Sequence, residues 1–142
     1  METTILAIFA KAPIPGNVKT RLIPPLSPET AASLHEAFVR DMYYRCSQIP
    51  DLSVALWTDI TTDAWPDLPV ARKLQIPGDL GLKMFHAAES CLREGASRVV
   101  IVGADSPTLP AGHLYALLRA TADVALGPAE DGGYYGISCA RV

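Results

Sequence analysis

The chain has 142 residues, 49% of them hydrophobic and 19% charged, with a formal net charge of −3. That length holds one domain, 1–142, with a sizeable core and is too short for two. The mild acidity and the lack of any run of four Lys or Arg argue against a nucleic-acid surface, and the longest apolar runs fall far short of the roughly 20 residues of a membrane span.

Met1-Glu2-Thr3-Thr4 lacks the basic start of a secretory leader. Cys46, Cys91 and Cys139 are far apart and odd in number, which suggests neither a disulfide framework nor a zinc site. Three buried thiols in a reducing cytoplasm are expected.

Strand and helix patterns then alternate. Thr4 to Phe9 reads as a first strand, followed by a long loop from Ala10 to Pro25. Ser27 is placed to cap a helix that starts with Pro28 and Glu29 and points Ala31, Leu34, Phe38, Met42 and Arg45 to one side. Strands are expected at Leu52–Trp57 and Val70–Gln75, separated by an acidic, Pro-rich surface segment that holds Asp59, Asp63 and Asp67. Asp79 reads as the N-cap of a helix from about Leu80 to Glu94, with Leu82, Phe85, Ala88 and Leu92 inward and Gly95 as the stop.

The next strand, Arg98–Val102, has four consecutive large apolar residues, as expected of a strand buried on both faces. A short helix near Ala111–Ala120 and strands at Asp123–Leu126 and Gly133–Ser138 complete the pattern. Strands separated by helices predict a mostly parallel sheet covered on both faces.

Chemistry in such sheets sits just outside the carboxyl ends of the strands. Asp105, two residues past Gly103, is the first charged side chain there, in a loop restricted by Pro107 and Pro110. A carboxylate so placed is well suited to holding Mg²⁺ against a phosphate, with an Asx turn or helix cap as the plainer alternative. The first loop carries Lys11, Gly16, Lys19, Thr20 and Arg21. Such a loop can wrap a polyphosphate through backbone N–H groups and cations, although it is neither a Walker A nor a dinucleotide fingerprint. A plain basic surface loop fits the same residues.

Gly78, Asp79 and Gly81 form a second loop, able either to approach a planar or phosphorylated ligand or simply to turn and cap the helix. A third loop sets Glu130 and Asp131 before Gly132-Gly133. In a parallel sheet all three loops and Asp105 open on one edge.

The remaining polar and aromatic residues have plainer readings. His35 reads as a helix-surface residue, and His86 lies between the inward positions 85 and 88. Tyr134 and Tyr135 read as strand-packing residues, Trp57 as core and Trp65 as a loop anchor. Ser106 lacks the Gly-x-Ser-x-Gly elbow of a hydrolase.

Taken in order, FAKAPIPGNVKTRL, PGDLGLKM, VVIVGADSPTLP and DVALGPAEDGGYYGI resemble the DUF2064 family, a glycosyltransferase-A-type or nucleotide-diphospho-sugar transferase-like group. The resemblance covers about Ile5 to Ile137. It implies a three-layer α/β/α sandwich and a Mg²⁺- or Mn²⁺-dependent transferase, glycosyl or nucleotidyl, that joins a nucleotide or nucleotide-sugar to a small acceptor.

By position in the family, Lys19-Thr20-Arg21 would grip the phosphates with Lys11 assisting. Gly78, Asp79 and Gly81 would meet base and sugar. Asp105 would hold the metal, and Glu130 and Asp131 would orient or deprotonate the acceptor. Family members usually continue past the Gly-Gly-Tyr-Tyr hairpin into an Asp-Thr element that supplies a second carboxylate. This sequence stops at Val142, so a C-terminally shortened sandwich is expected. Its open sheet edge would favour a homodimer, and a non-catalytic nucleotide-binding module is the alternative.

Overall fold

The structure, a computed structural model, describes residues 3–105, 109–129 and 133–141. Six strands, β1 (Thr4–Ala10), β2 (Leu52–Thr58), β3 (Ala71–Leu74), β4 (Arg98–Gly103), β5 (Val124–Pro128) and β6 (Tyr134–Cys139), form one sheet in the order β3-β2-β1-β4-β6-β5. β1 to β4 pair in parallel, and β6 runs antiparallel to both of its neighbours. β5 therefore points the same way as β4, and the loops that leave β1, β3, β4 and β5 emerge on one edge.

Alternation along the central strands divides the core in two. Leu6 and Ile8 of β1 and Val100 and Val102 of β4 face α1 (Pro28–Ser47) and α3 (Ala111–Leu118). Ala7, Phe9, Val99 and Ile101 face α2 (Leu80–Arg93). The result is the expected α/β/α sandwich. The four apolar residues of β4 are at most 3% exposed, as a strand covered on both faces requires. Each such side chain contributes about 1.5–3 kcal/mol by leaving water.

Local signals set the helix ends. The Ser27 hydroxyl accepts the Thr30 N–H at 3.1 Å, with Pro28 in the first turn. Asp79 accepts the Leu82 N–H at 2.8 Å, and Gly95, with φ +109°, ends α2 in the left-handed region.

Two helix faces differ from the sequence expectation. In α1 the buried line is Ala31, Ala32, His35, Val39, Met42 and Cys46, so Leu34 and Phe38 are only partly covered. In α2 Leu82 and Phe85 are half exposed, while Ala87, Ala88 and Cys91 lie against the sheet. Small residues let α2 approach the strands closely and leave the larger apolar ones at its flanks. Both errors have one cause: these helices carry apolar residues on more than one side, so periodicity alone does not single out the buried stripe.

His35 is a further correction. It is buried, because it reaches from α1 to the first loop. Trp65 is fully buried and donates its indole N–H to the Glu36 carbonyl at 3.0 Å, anchoring the segment between β2 and β3 on α1. All three cysteines are free and buried. Among the described residues, no helix is long and apolar enough to cross a membrane.

Candidate active site

Strand order reverses between β1 and β4: β1 leads through α1 to β2 on one side, and β4 lies on the other. Their carboxyl ends are paired, Phe9 beside Gly103, so the loops diverge and leave a crevice between them. A cavity of about 810 Å³ fills that crevice, with Lys11, Lys19, Thr20, Arg21 and Asp105 in its wall. Five of the residues singled out by sequence thus meet in one place. A second lobe of about 420 Å³ adjoins it and shares Phe9, Leu80, Gly103 and Asp105.

Lys19 and Asp105 are 86 positions apart in sequence and touch here. The Lys19 Nζ donates to Asp105 Oδ1 at 3.2 Å and lies 4.2 Å from the centre of the Phe38 ring. The Lys19 side chain is 10% exposed and that of Asp105 82%. The cation is therefore held by its surroundings, whereas the carboxylate faces solvent. Lys19 adopts φ 49° at the head of the single 3-10 turn Thr20–Leu22, a left-handed conformation that a non-glycine residue keeps only when its neighbours hold it there. Arg21 and Lys11 are exposed and open to an anion.

The loop is tied down from both sides. The Ala12 N–H donates to Asp59 Oδ1 at 2.7 Å, and His35 Nε2 donates to the Lys11 carbonyl at 2.8 Å. A carbonyl only accepts, so His35 carries a proton on Nε2, and its buried Nδ1 has no partner among the described residues. Asp59 is a correction to the sequence reading of its segment as solvated. Its carboxylate clamps the first loop and lines the cavity. Asp63 and Asp67 do remain exposed, Asp67 paired with Arg40. That guanidinium holds the Asp67 carboxyl below its ordinary value of 3.8, mainly by hydrogen bonding, and Asp67 in turn raises Arg40.

Other sequence candidates stand outside the cavity wall. Gly16 turns the first loop at φ +88°, with nothing within 4 Å of where a Cβ would lie, so its role there is conformational. Gly78, at φ +129°, and Gly81 flank Asp79, whose carboxylate is engaged in capping α2. The second loop reaches the cavity instead through Gln75, Leu80 and Lys83. Lys83 carried a faint signal, being a cation one turn into a helix that starts at the strand ends. His35 and Phe38 carried none, because their roles depend on where α1 meets the first loop. Glu130, Asp131 and Ser106 lie outside the described residues.

Whether these side chains suit a divalent cation follows from the donor set. Among the described residues no three His, Cys, Asp or Glu cluster at metal-binding distance. Asp105 offers one exposed carboxylate beside the Lys19 ammonium and in the same cavity wall as Lys11 and Arg21. That set does not make an all-protein cage; it fits Mg²⁺ taken up by one carboxylate and shared with substrate phosphates.

A mostly parallel α/β/α sheet with its cavity at the β1–β4 reversal is a nucleotide-diphospho-sugar transferase-like fold. A crystal structure described as a "putative nucleotide-diphospho-sugar transferase" from Desulfovibrio desulfuricans G20 superposes with TM-score 0.83 and 31% identity, covering 99% of this chain. This chain spans 64% of the length of that protein. CMP:2-keto-3-deoxy-manno-octonic acid synthetase in complex with CTP shares the fold at TM-score 0.59 and 13% identity, over 88% of this chain and 52% of its own. No curated protein matches the sequence. The chain belongs to the DUF2064 family, described as "Uncharacterized protein conserved in bacteria", whose model matches residues 45–142.

Proposed function

We propose that this chain carries the donor site of a divalent-metal-dependent transferase that moves a glycosyl or nucleotidyl group from a nucleotide or nucleotide-sugar to a small acceptor. One observation carries the reading: Lys19, Arg21, Lys11 and Asp105 converge on one cavity at the switch point of the sheet. Lys19 and Arg21 neutralise the phosphates, Thr20 and the backbone of its turn add donors, and the Phe38 ring holds the Lys19 ammonium in position. Asp105 stands where the two lobes join and would hold Mg²⁺ or Mn²⁺, which supplies neutralisation of charge developing on the phosphates. Catalysis then rests on positioning and on electrostatics fixed in advance.

A thermal-shift screen of nucleotides and nucleotide-sugars, each with and without Mg²⁺, tests this. A ligand at one hundred times its Kd stabilises by about 2.7 kcal/mol, a readily measured rise in Tm. The wild type should show a metal-dependent rise, and Asp105→Asn should lose the metal-dependent part. Full Mg²⁺-dependent affinity in Asp105→Asn would sink the assignment.

A non-catalytic nucleotide-binding module is the second reading. It is favoured by Asp105 being the one described carboxylate common to both lobes. Incubation with a radiolabelled nucleotide-sugar separates the two, since a module binds it without consuming it.

A further inference from the structure

The two ends of the 810 Å³ cavity are carried by different strands. Asp105 follows β4, which lies two strand spacings from β2 and three from β3, about 10 and 14 Å. At the end away from Asp105, β2 and β3 stop side by side. Thr58 pairs with Leu74, and the Gln75 N–H donates to the Thr58 carbonyl at 2.9 Å. Asp59 and Gln75, the next residue of each chain segment, therefore stand together in the cavity wall.

Each of these side chains has one end fixed by the main chain. Asp59 Oδ1 accepts the Ala12 N–H at 2.7 Å. Gln75 Nε2 donates to the Trp57 carbonyl at 2.8 Å, and because a carbonyl cannot donate, the carboxamide oxygen is the end turned away. Left without a partner among the described residues are Asp59 Oδ2 and Gln75 Oε1, two neighbouring acceptors. Among those residues no cation is ion-paired with Asp59. From α2 the wall also receives Lys83, a donor, and Leu80, an apolar face 58% exposed.

Guanine alone among the common bases sets two donors side by side, N1–H and the 2-amino group, with the O6 acceptor next to them. Adenine and cytosine follow their one amino donor with a ring-nitrogen acceptor, and uracil holds its single N–H between two carbonyls. Each of these three would turn a lone pair on the carboxylate or leave an acceptor of the wall unpaired. Two acceptors and an ammonium complement the guanine edge, and the flat of the ring can pack on Leu80. Ribose hydroxyls are the other donors a nucleotide carries. They are common to all nucleotides and would give no preference among bases.

Resting on the function proposed above, we infer that Asp59 and Gln75 read the base of the donor and select a guanine nucleotide.

The test is calorimetric titration of the full chain with GDP, IDP, ADP, CDP and UDP at one Mg²⁺ concentration. GDP is expected to bind at least about tenfold more tightly than ADP, CDP or UDP. IDP, which lacks only the 2-amino group, is expected to bind about tenfold more weakly than GDP. Asp59→Asn keeps an oxygen for the Ala12 N–H and can put a donor in place of Oδ2, so it should erase the difference between GDP and IDP.

Equal affinity of the wild type for GDP and IDP, or tighter binding of ADP, CDP or UDP, would overturn the inference, and this comparison needs no variant to fold. So would an undiminished preference for GDP over IDP in Asp59→Asn. Metal-dependent binding of all five with one affinity would give the wall to ribose or solvent and leave the proposed transferase standing. Absence of binding by any of them would overturn the transferase and the base assignment with it.

Discussion

Lys19 and Asp105 show how differently two partners of one ion pair can be placed. Because the Asp105 carboxylate is mostly in water, the pair adds little to stability, within about 1 kcal/mol. Asp105→Asn should therefore shift the urea midpoint of the ligand-free protein only slightly while removing the metal-dependent response. A large loss of stability would mean that Asp105 is structural. The thiols make the opposite case. Burial pushes Cys46 from its ordinary 9.0 up to about 11 and raises Cys91 and Cys139 in the same direction. Stability from keeping Cys46 protonated is complete below pH 9 and disappears as the pH rises through about 11. At pH 8 an aromatic disulfide reagent should leave the native protein nearly unmodified and titrate all three thiols in urea; rapid labelling of the native state would contradict the burial.

At the scale of elements, the first loop works because α1 and the segment after β2 grip it. His35→Ala removes the donor to the Lys11 carbonyl and leaves a buried cavity, for a cost of about 2–4 kcal/mol. It should also weaken nucleotide binding, as shown by a smaller melting shift at saturating Mg²⁺; an unchanged shift would separate His35 from the site. Gly127→Ala drives a methyl group into the Tyr135 ring and should destabilise by about 1–3 kcal/mol in urea unfolding. The sequence shows plainly the elements that depend on local rules. β4 announces itself by four apolar residues, and the starts of α1 and α2 by their caps. Asp59 and His35 stayed hidden because their function is a contact with a loop 47 or 24 positions away, which no local pattern encodes. The positions of Lys19 and Asp105 were easier to read, because Asp105 lies two residues beyond the end of β4 and Lys19 stands in the loop that leaves β1.

For the whole molecule, the order β3-β2-β1-β4-β6-β5 matters most, since the reversal at β1 and β4 creates the crevice. The alternation of elements foretold a mostly parallel sheet covered by helices on both faces. The antiparallel insertion of β6 beside β4 needed the structure, because a short strand after a Gly-Gly turn can pair on either side. Acid stability is also a property of the assembled molecule, through the Arg40–Asp67 bridge from α1 to the β2–β3 segment. The lowered Asp67 carboxyl gives a contribution that is present above about pH 4 and lost as the pH falls through its lowered value. The difference in urea midpoint between wild type and Asp67→Asn should therefore shrink between pH 7 and pH 3. Finally, α1 holds both banks of the crevice: His35 donates to the carbonyl of Lys11, and Arg45, nearly three turns further on, donates to the carbonyl of Leu109 beyond Asp105. One rigid rod splints the two, so they open together or not at all, and the edge strands can fray without loosening either. In hydrogen exchange the amides of β1, α1 and β4 should then share one high opening energy, while those of β3 and β5 exchange earlier.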